Sequence, residues 1–123
     1  MSRNRVGAPG VRIKRIYDEP EPTDGFRVLV DRLWPRGIKK EKAAIEAWPR
    51  DLAPSPELRK WFGHDPDRWT EFRRRYGKEL RAHAEALDAL RERSKRQPVT
   101  LLYAAKDPNI NHAVVLRQAI EKH

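Results

Sequence analysis

Two short apolar runs constrain this chain more than any other feature: Phe26-Arg27-Val28-Leu29-Val30 and Val99-Thr100-Leu101-Leu102-Tyr103-Ala104, with a long stretch of helical pattern between them. Each is short and nearly continuously apolar, which is how a strand buried on both faces reads. Helical material between two such strands implies a crossover that brings the chain back to the same sheet in the same direction, with right-handed sense. The first run reads as a central strand, with Arg27 as its one polar interruption. Val11, Ile13 and Ile16 alternate partly with Arg12, Lys14 and Arg15 and predict a half-exposed strand at a sheet edge. Pro20 and Pro22 make residues 18–25 a loop, because proline cannot sit inside a ladder. The predicted class is α/β: a small single domain with a mainly parallel sheet covered by helices.

The helices are announced by a repeated signature. Ser55-Pro56, Asp65-Pro66 and Asp107-Pro108 each place a capping oxygen before a proline at the first helical position. The first pair opens a short helix from Pro56 to Phe62, closed by Gly63. The second opens a long amphipathic helix over about 66–95, in which Trp69, Phe72, Tyr76, Leu80, His83, Leu87 and Leu90 fall on one stripe. Gly77 costs that helix about 1 kcal/mol against alanine, which suggests a close approach of a neighbour. The third pair is expected to cap the last helix, running to about Lys122. Lys39 to Lys42 suit a short exposed helix.

Of the 123 residues, 37% are charged, against about 25% in an ordinary domain, and the formal net charge is +9. Such a balance favours anionic partners. Residues 1–10 read as a flexible basic arm and residues 11–123 as the single domain. The absence of cysteine excludes disulfides and thiolate chemistry. No signal peptide or membrane-length apolar run is present, so a soluble, cytoplasmic protein without membrane partners is expected.

Ligands of open parallel sheets sit beyond the carboxyl ends of the strands. One such end carries Asp31, Arg32, Trp34 and Arg36, in the run Asp31-Arg32-Leu33-Trp34-Pro35-Arg36-Gly37. The other carries Lys106, Asp107, Asn109, Asn111 and His112. If the two strands are neighbours, these groups converge. Arg32, Arg36 and Lys106, with Arg59 from the short helix, would then hold a phosphate or carboxylate. Trp34, Asn111 and His112 are further ligand contacts, and Asp31, His64 and Asp107 are the candidates to handle protons. Each has a structural alternative: a cap for Asp107, a core position for Trp34, a surface role for His112, a ring between two helix ends for His64. His83, on the stripe, reads as a core histidine. No spaced histidine pair supports a metal, and no phosphate-loop or dinucleotide fingerprint supports a cofactor. Arg73-Arg74-Arg75 fan around a helix and read as a solvated face.

The run from Phe26 to Gly37 resembles the hallmark of the YeaO-like family of small bacterial proteins, also known as domain of unknown function 488. The likeness continues through Trp48, Leu52 to His64, Phe72, Tyr76, Glu79-Leu80, Leu101 to Asp107 and Asn111-His112-Ala113. The resemblance implies a compact bacterial α/β domain and brings no established activity. The residues themselves support three readings. The first is a domain that binds, and as an enzyme acts on, an anionic small molecule. The second is a nucleic-acid-binding module using the basic arm and surface. The third is a non-enzymatic protein-interaction domain.

Overall fold

A computed structural model describes residues 8–122. Its elements are strands β1 (Gly10–Arg15), β2 (Phe26–Leu29) and β3 (Pro98–Tyr103), and helices α1 (Lys40–Ala43), α2 (Pro56–Phe62), α3 (Trp69–Leu80), α4 (Ala84–Ser94) and α5 (His112–Glu121). Most of the basic arm expected over 1–10 lies outside the described residues; Ala8 and Pro9 are exposed, and Gly10 already belongs to β1.

The sheet is parallel throughout, in the order β1-β3-β2. The second apolar run, β3, is therefore the central strand, and all six of its residues are buried. β2, read from sequence as central, lies at an edge. Its outer side carries an isolated bridge from Val28 to Ala47 and a bond from the Leu29 N–H to the Ala47 carbonyl at 2.9 Å. Continuous apolarity reports that both faces are covered; it does not count neighbours in the ladder.

Strand alternation sorts the side chains to two unlike faces. Val11, Val28, Val30, Val99, Leu101 and Tyr103 join Phe72, Leu87, Leu116 and Ile120 in the main core, against the helices. The alternate positions Lys14, Arg27, Leu29, Thr100 and Leu102 face the other way. There the cover is the loop after β1 and the segment around α1. Arg27, 4% exposed, donates to the Ala43 carbonyl at 2.8 Å and pairs with Asp24 at 2.5 Å. Asp24 also meets Lys14 at 3.0 Å, and Thr100 Oγ1 donates to the Asp24 carbonyl at 2.7 Å. The acidic Pro-rich loop thus folds inward as a 3-10 turn, Pro22–Asp24, that neutralises a buried arginine.

The long amphipathic helix is present. It is entered through a 3-10 turn at Pro66–Arg68 and runs as α3 and α4, with a second 3-10 turn at Arg81–His83 between them. His83 is half-buried at that turn, at φ −120° and ψ 35°, rather than packed in the core. Gly77 is not a point of close approach: a Cβ built there meets nothing within 4 Å. Since its φ is an ordinary helical one, Gly77→Ala is expected to stabilise the domain by about 0.5–1 kcal/mol through helix propensity, seen as a rise in the urea midpoint. A lower midpoint would mean that the open space over Gly77 matters for the fold.

Ser55 caps α2, accepting from the Leu58 N–H at 3.2 Å, and Gly63 ends it in the left-handed conformation at φ 53°. The last helix departs from expectation. Its cap is Asn111, whose side chain accepts from the Val114 N–H at 3.3 Å. Asp107 caps the preceding turn, accepting from the N–H groups of Asn109 at 2.8 Å and Ile110 at 3.1 Å. Two cap-like residues stand close together here, and the helix takes the one that adjoins its apolar run.

Candidate functional site

The parallel pairing of β2 with β3 sends both strand ends to the same side of the sheet. Beyond them lies a cleft of about 570 Å³. Asp31 and Arg32 reach it from the end of β2, Lys106 and Asp107 from the end of β3, His112 from the start of α5, and Arg59 and His64 from α2 and the loop after it. Phe62, Phe72 and Ile110 supply an apolar wall, with the Phe62 and Phe72 rings stacked at 4.2 Å. The sequence places Phe72 on the apolar stripe and Phe62 at the end of the short helix, and gives no sign that both core residues also line the cleft.

Asp31 stitches the two strand ends together. One carboxylate oxygen, Oδ2, accepts from the Ala104 N–H at 3.1 Å, and its main-chain carbonyl accepts from the Trp48 indole at 2.7 Å. The other oxygen, Oδ1, stands 2.9 Å from His112 Nε2. That nitrogen is also 3.0 Å from the Val30 carbonyl. A single N–H cannot point squarely at both, and the geometry favours the carbonyl. Oδ1 is accordingly buried without an in-line hydrogen bond. With a hydrogen on Nε2, the Val30 carbonyl accepts the hydrogen bond, and Asp31 Oδ1 stands beside the ring without one of its own.

Arg32 is partly structural. Its Nε donates to the Pro54 carbonyl at 3.3 Å and Nη2 to the Ala53 carbonyl at 3.2 Å, which fixes the segment before α2 to the end of β2. Carbonyl partners leave its positive charge uncancelled. Arg59 and Lys106 are exposed, and among the described residues neither is in an ion pair. His64 is exposed with φ 59°, directly after Gly63, so two successive residues adopt the left-handed conformation. A non-glycine residue there costs about 1 kcal/mol or more, and such strain concentrates at functional loops.

The site also rests on groups behind it. Glu79 of α3 accepts from Ser55 twice, from its N–H at 2.9 Å and its Oγ at 2.6 Å. Tyr76 is fully buried and donates to the Leu52 carbonyl at 2.5 Å. Burial, reinforced by the nearby negative charges of Glu79 and Asp31, pushes its phenol well above its ordinary pKa, so it remains a neutral donor.

Two expected contacts are not in the cleft. Trp34 turns away, donating from its indole to the Ile38 carbonyl at 2.7 Å and packing edge-on against Trp48 at 5.4 Å. The main-chain carbonyl of Arg36 accepts from Tyr17 Oη at 3.0 Å, its residue is exposed, and it does not line the cleft. The turn through Pro35 and Gly37, the latter at φ 80°, carries residues 34–37 away from the strand axis after Leu33. Asn111 lines the cleft, but its side chain is taken up by the cap and by a bond to the Asp107 carbonyl at 2.8 Å. Among the described residues no group of three His, Asp or Glu side chains is placed to hold a metal ion. No helix among them is long and apolar enough to cross a membrane.

A small parallel α/β domain with a cationic cleft beyond its strand ends is the class of protein that this geometry defines. Within that class, the chain belongs to the DUF488-N3i family, described as the inactive DUF488-N3 subclade, whose model matches residues 10–123. It is 47% identical over 106 residues to the uncharacterised protein YeaO of Escherichia coli K12, covering 86% of this chain and 92% of that protein. It is 46% identical over 110 residues to the uncharacterised protein Rv3073c of Mycobacterium tuberculosis, covering 89% of this chain and 92% of its relative. The uncharacterised Mb3100c of Mycobacterium bovis matches to the same extent. No solved structure matches the chain.

Proposed function

We propose that the cleft binds a small anionic molecule, phosphorylated or carboxylated, and that the domain holds this ligand rather than turning it over. The observation that carries the reading is an imbalance of charge. Arg59 and Lys106 face the cleft from two different elements without carboxylate partners among the described residues, and Arg32 adds a third uncancelled charge. Two carboxylates face these three cations, and their oxygens already accept from main-chain N–H groups: Asp31 from Ala104, Asp107 from Asn109 and Ile110. A pocket of this volume with an apolar wall and a few charged groups suits a small metabolite. Binding without turnover accords with a family described as inactive.

Titration with inorganic phosphate, followed by two-dimensional NMR, tests this. Saturable shifts are expected at the amides of Arg32, Arg59, Ala105 and Lys106. Arg59→Ala and Lys106→Ala should each weaken binding about tenfold, the equivalent of about 1.4 kcal/mol. Shifts confined to the arginine-rich face of α3, or equal binding by wild type and both variants, would remove the proposal.

A further inference from the structure

A second groove of about 580 Å³ lies on the other side of α3, between α3, the turn into α4, and α5. Its floor is apolar: Leu80, Leu87, Val115 and Ala119, with Gly77 leaving open space where a side chain would stand. Its rim is cationic, with Arg73, Arg74, Arg81 and Lys122, and no carboxylate lines it among the described residues. These charges differ in how far they are cancelled. Arg74 forms a 2.7 Å ion pair with Glu71 just outside the groove. Hydrogen bonds from Arg74 and Arg75 lower the Glu71 carboxyl to about 2, so it is charged at neutral pH. Arg73 instead donates to the neutral Gln118 amide at 2.8 Å, and keeps its charge. Arg81 and Lys122 have no ion-pair partner among the described residues. Three positive charges therefore surround an apolar floor.

We infer that this groove binds a monomeric anionic amphiphile: a molecule with one carboxylate-type head group and a short apolar tail. The head would sit between Arg81 and Lys122, and the tail would lie over Gly77 and against Leu80, Val115 and Ala119. The Arg73–Gln118 bond decides between a small molecule and a docked helix. It ties α3 to α5 across the groove, so a helix laid along the groove would have to break it, whereas a tail of a few carbons can lie beside it. The groove is also of the size that single small ligands occupy. It owes its shape to the missing side chain at Gly77 and to the 3-10 turn at Arg81–His83, of which Gly77 and Arg81 line the groove.

Octanoate is the probe, with octanol as its uncharged counterpart. In two-dimensional NMR, octanoate should give saturable shifts at the amides of Gly77, Ala84 and Ala119, with octanol at least tenfold weaker. The double variant Arg81→Glu/Lys122→Glu should weaken octanoate at least tenfold. Gly77→Leu, which fills the open space with a good helix former, should weaken octanoate and octanol alike while the fold is retained. Arg59→Ala and Lys106→Ala, which disable the first cleft, should leave the octanoate shifts at Gly77, Ala84 and Ala119 unchanged, which separates the two sites. Equal binding of octanoate and octanol would overturn the proposal. So would shifts confined to the Arg59–Lys106 cleft, groove shifts that never saturate, or octanoate shifts in the groove that Gly77→Leu leaves unaltered.

Discussion

Asp24→Ala is expected to cost the domain about 3–5 kcal/mol, because it leaves a buried arginine without its counter-charge. Asp24 is 5% exposed and Arg27 4%. Besides Arg27 and Lys14, the carboxylate accepts from the Glu21 N–H at 2.9 Å. Burial works against its charge, but the Glu21 N–H, the Lys14 ammonium and the Arg27 guanidinium outweigh it and hold the carboxyl below its ordinary pKa. The sign of the pH dependence follows. A depressed carboxyl stabilises the fold above its unfolded pKa of about 3.9, and that contribution is lost as pH falls through the folded value. Urea unfolding at pH 7 and again at pH 3 should therefore show the variant's deficit shrinking in acid. Asp24→Ala/Arg27→Met, which removes both charges, should recover much of the loss. A deficit of less than about 1 kcal/mol at pH 7, within the range of surface pairs, would show that water reaches the pair and that the polar face of the sheet is not sealed.

Gly25→Ala should be nearly as damaging, for a steric reason. Gly25 sits at φ 65° and ψ −127°, a conformation that L side chains rarely adopt. A Cβ there would lie 2.3 Å from the Pro98 carbonyl oxygen and 2.9 Å from Pro98 Cβ. These atoms belong to the first residue of the central strand, so no flexible side chain can move aside. Backbone strain of about 1–3 kcal/mol and overpacking of about 1–3 kcal/mol act together. Gly37→Ala is the internal comparison: its φ of 80° is also strained, but nothing lies within 4 Å of the added carbon. Thermal melts should rank Gly25→Ala far below Gly37→Ala. Equal melting temperatures would mean that β3 can shift away from the loop at little cost.

Much of the architecture could be read from residues because its causes are local. Ser55, Pro56 and Gly63 act within a single turn each, and the α2 boundaries fall where they stand. The meeting of the two strand ends was also legible, since parallel neighbours must deliver their carboxyl ends to one side. What escaped the sequence depends on distant partners. Arg27 looked like a blemish in a strand; its partner is a loop carboxylate, and only the fold shows that the loop turns inward. Trp34 and Arg36 looked like ligand contacts because they follow a strand end, yet the turn at Pro35 redirects them. Asp107 and Asn111 compete for one helix start, and local propensity does not decide between them. Gly77 stood out as an anomaly, and only the packing shows that it faces empty space rather than a neighbour.

The strand order has a consequence in time. Neither β1 nor β2 pairs with the other; each is bonded to β3, which sits between them. The two N-terminal strands therefore wait, through the synthesis of every helix but the last, for a partner encoded at Pro98–Tyr103. Until that segment leaves the ribosome there is no sheet, and the Asp31 oxygen that will meet the Ala104 N–H has nothing to accept. Such long-range closure slows folding relative to local pairing. The cleft and its scaffold are thus completed in a single late step, so a nascent chain that stops short of β3 holds neither.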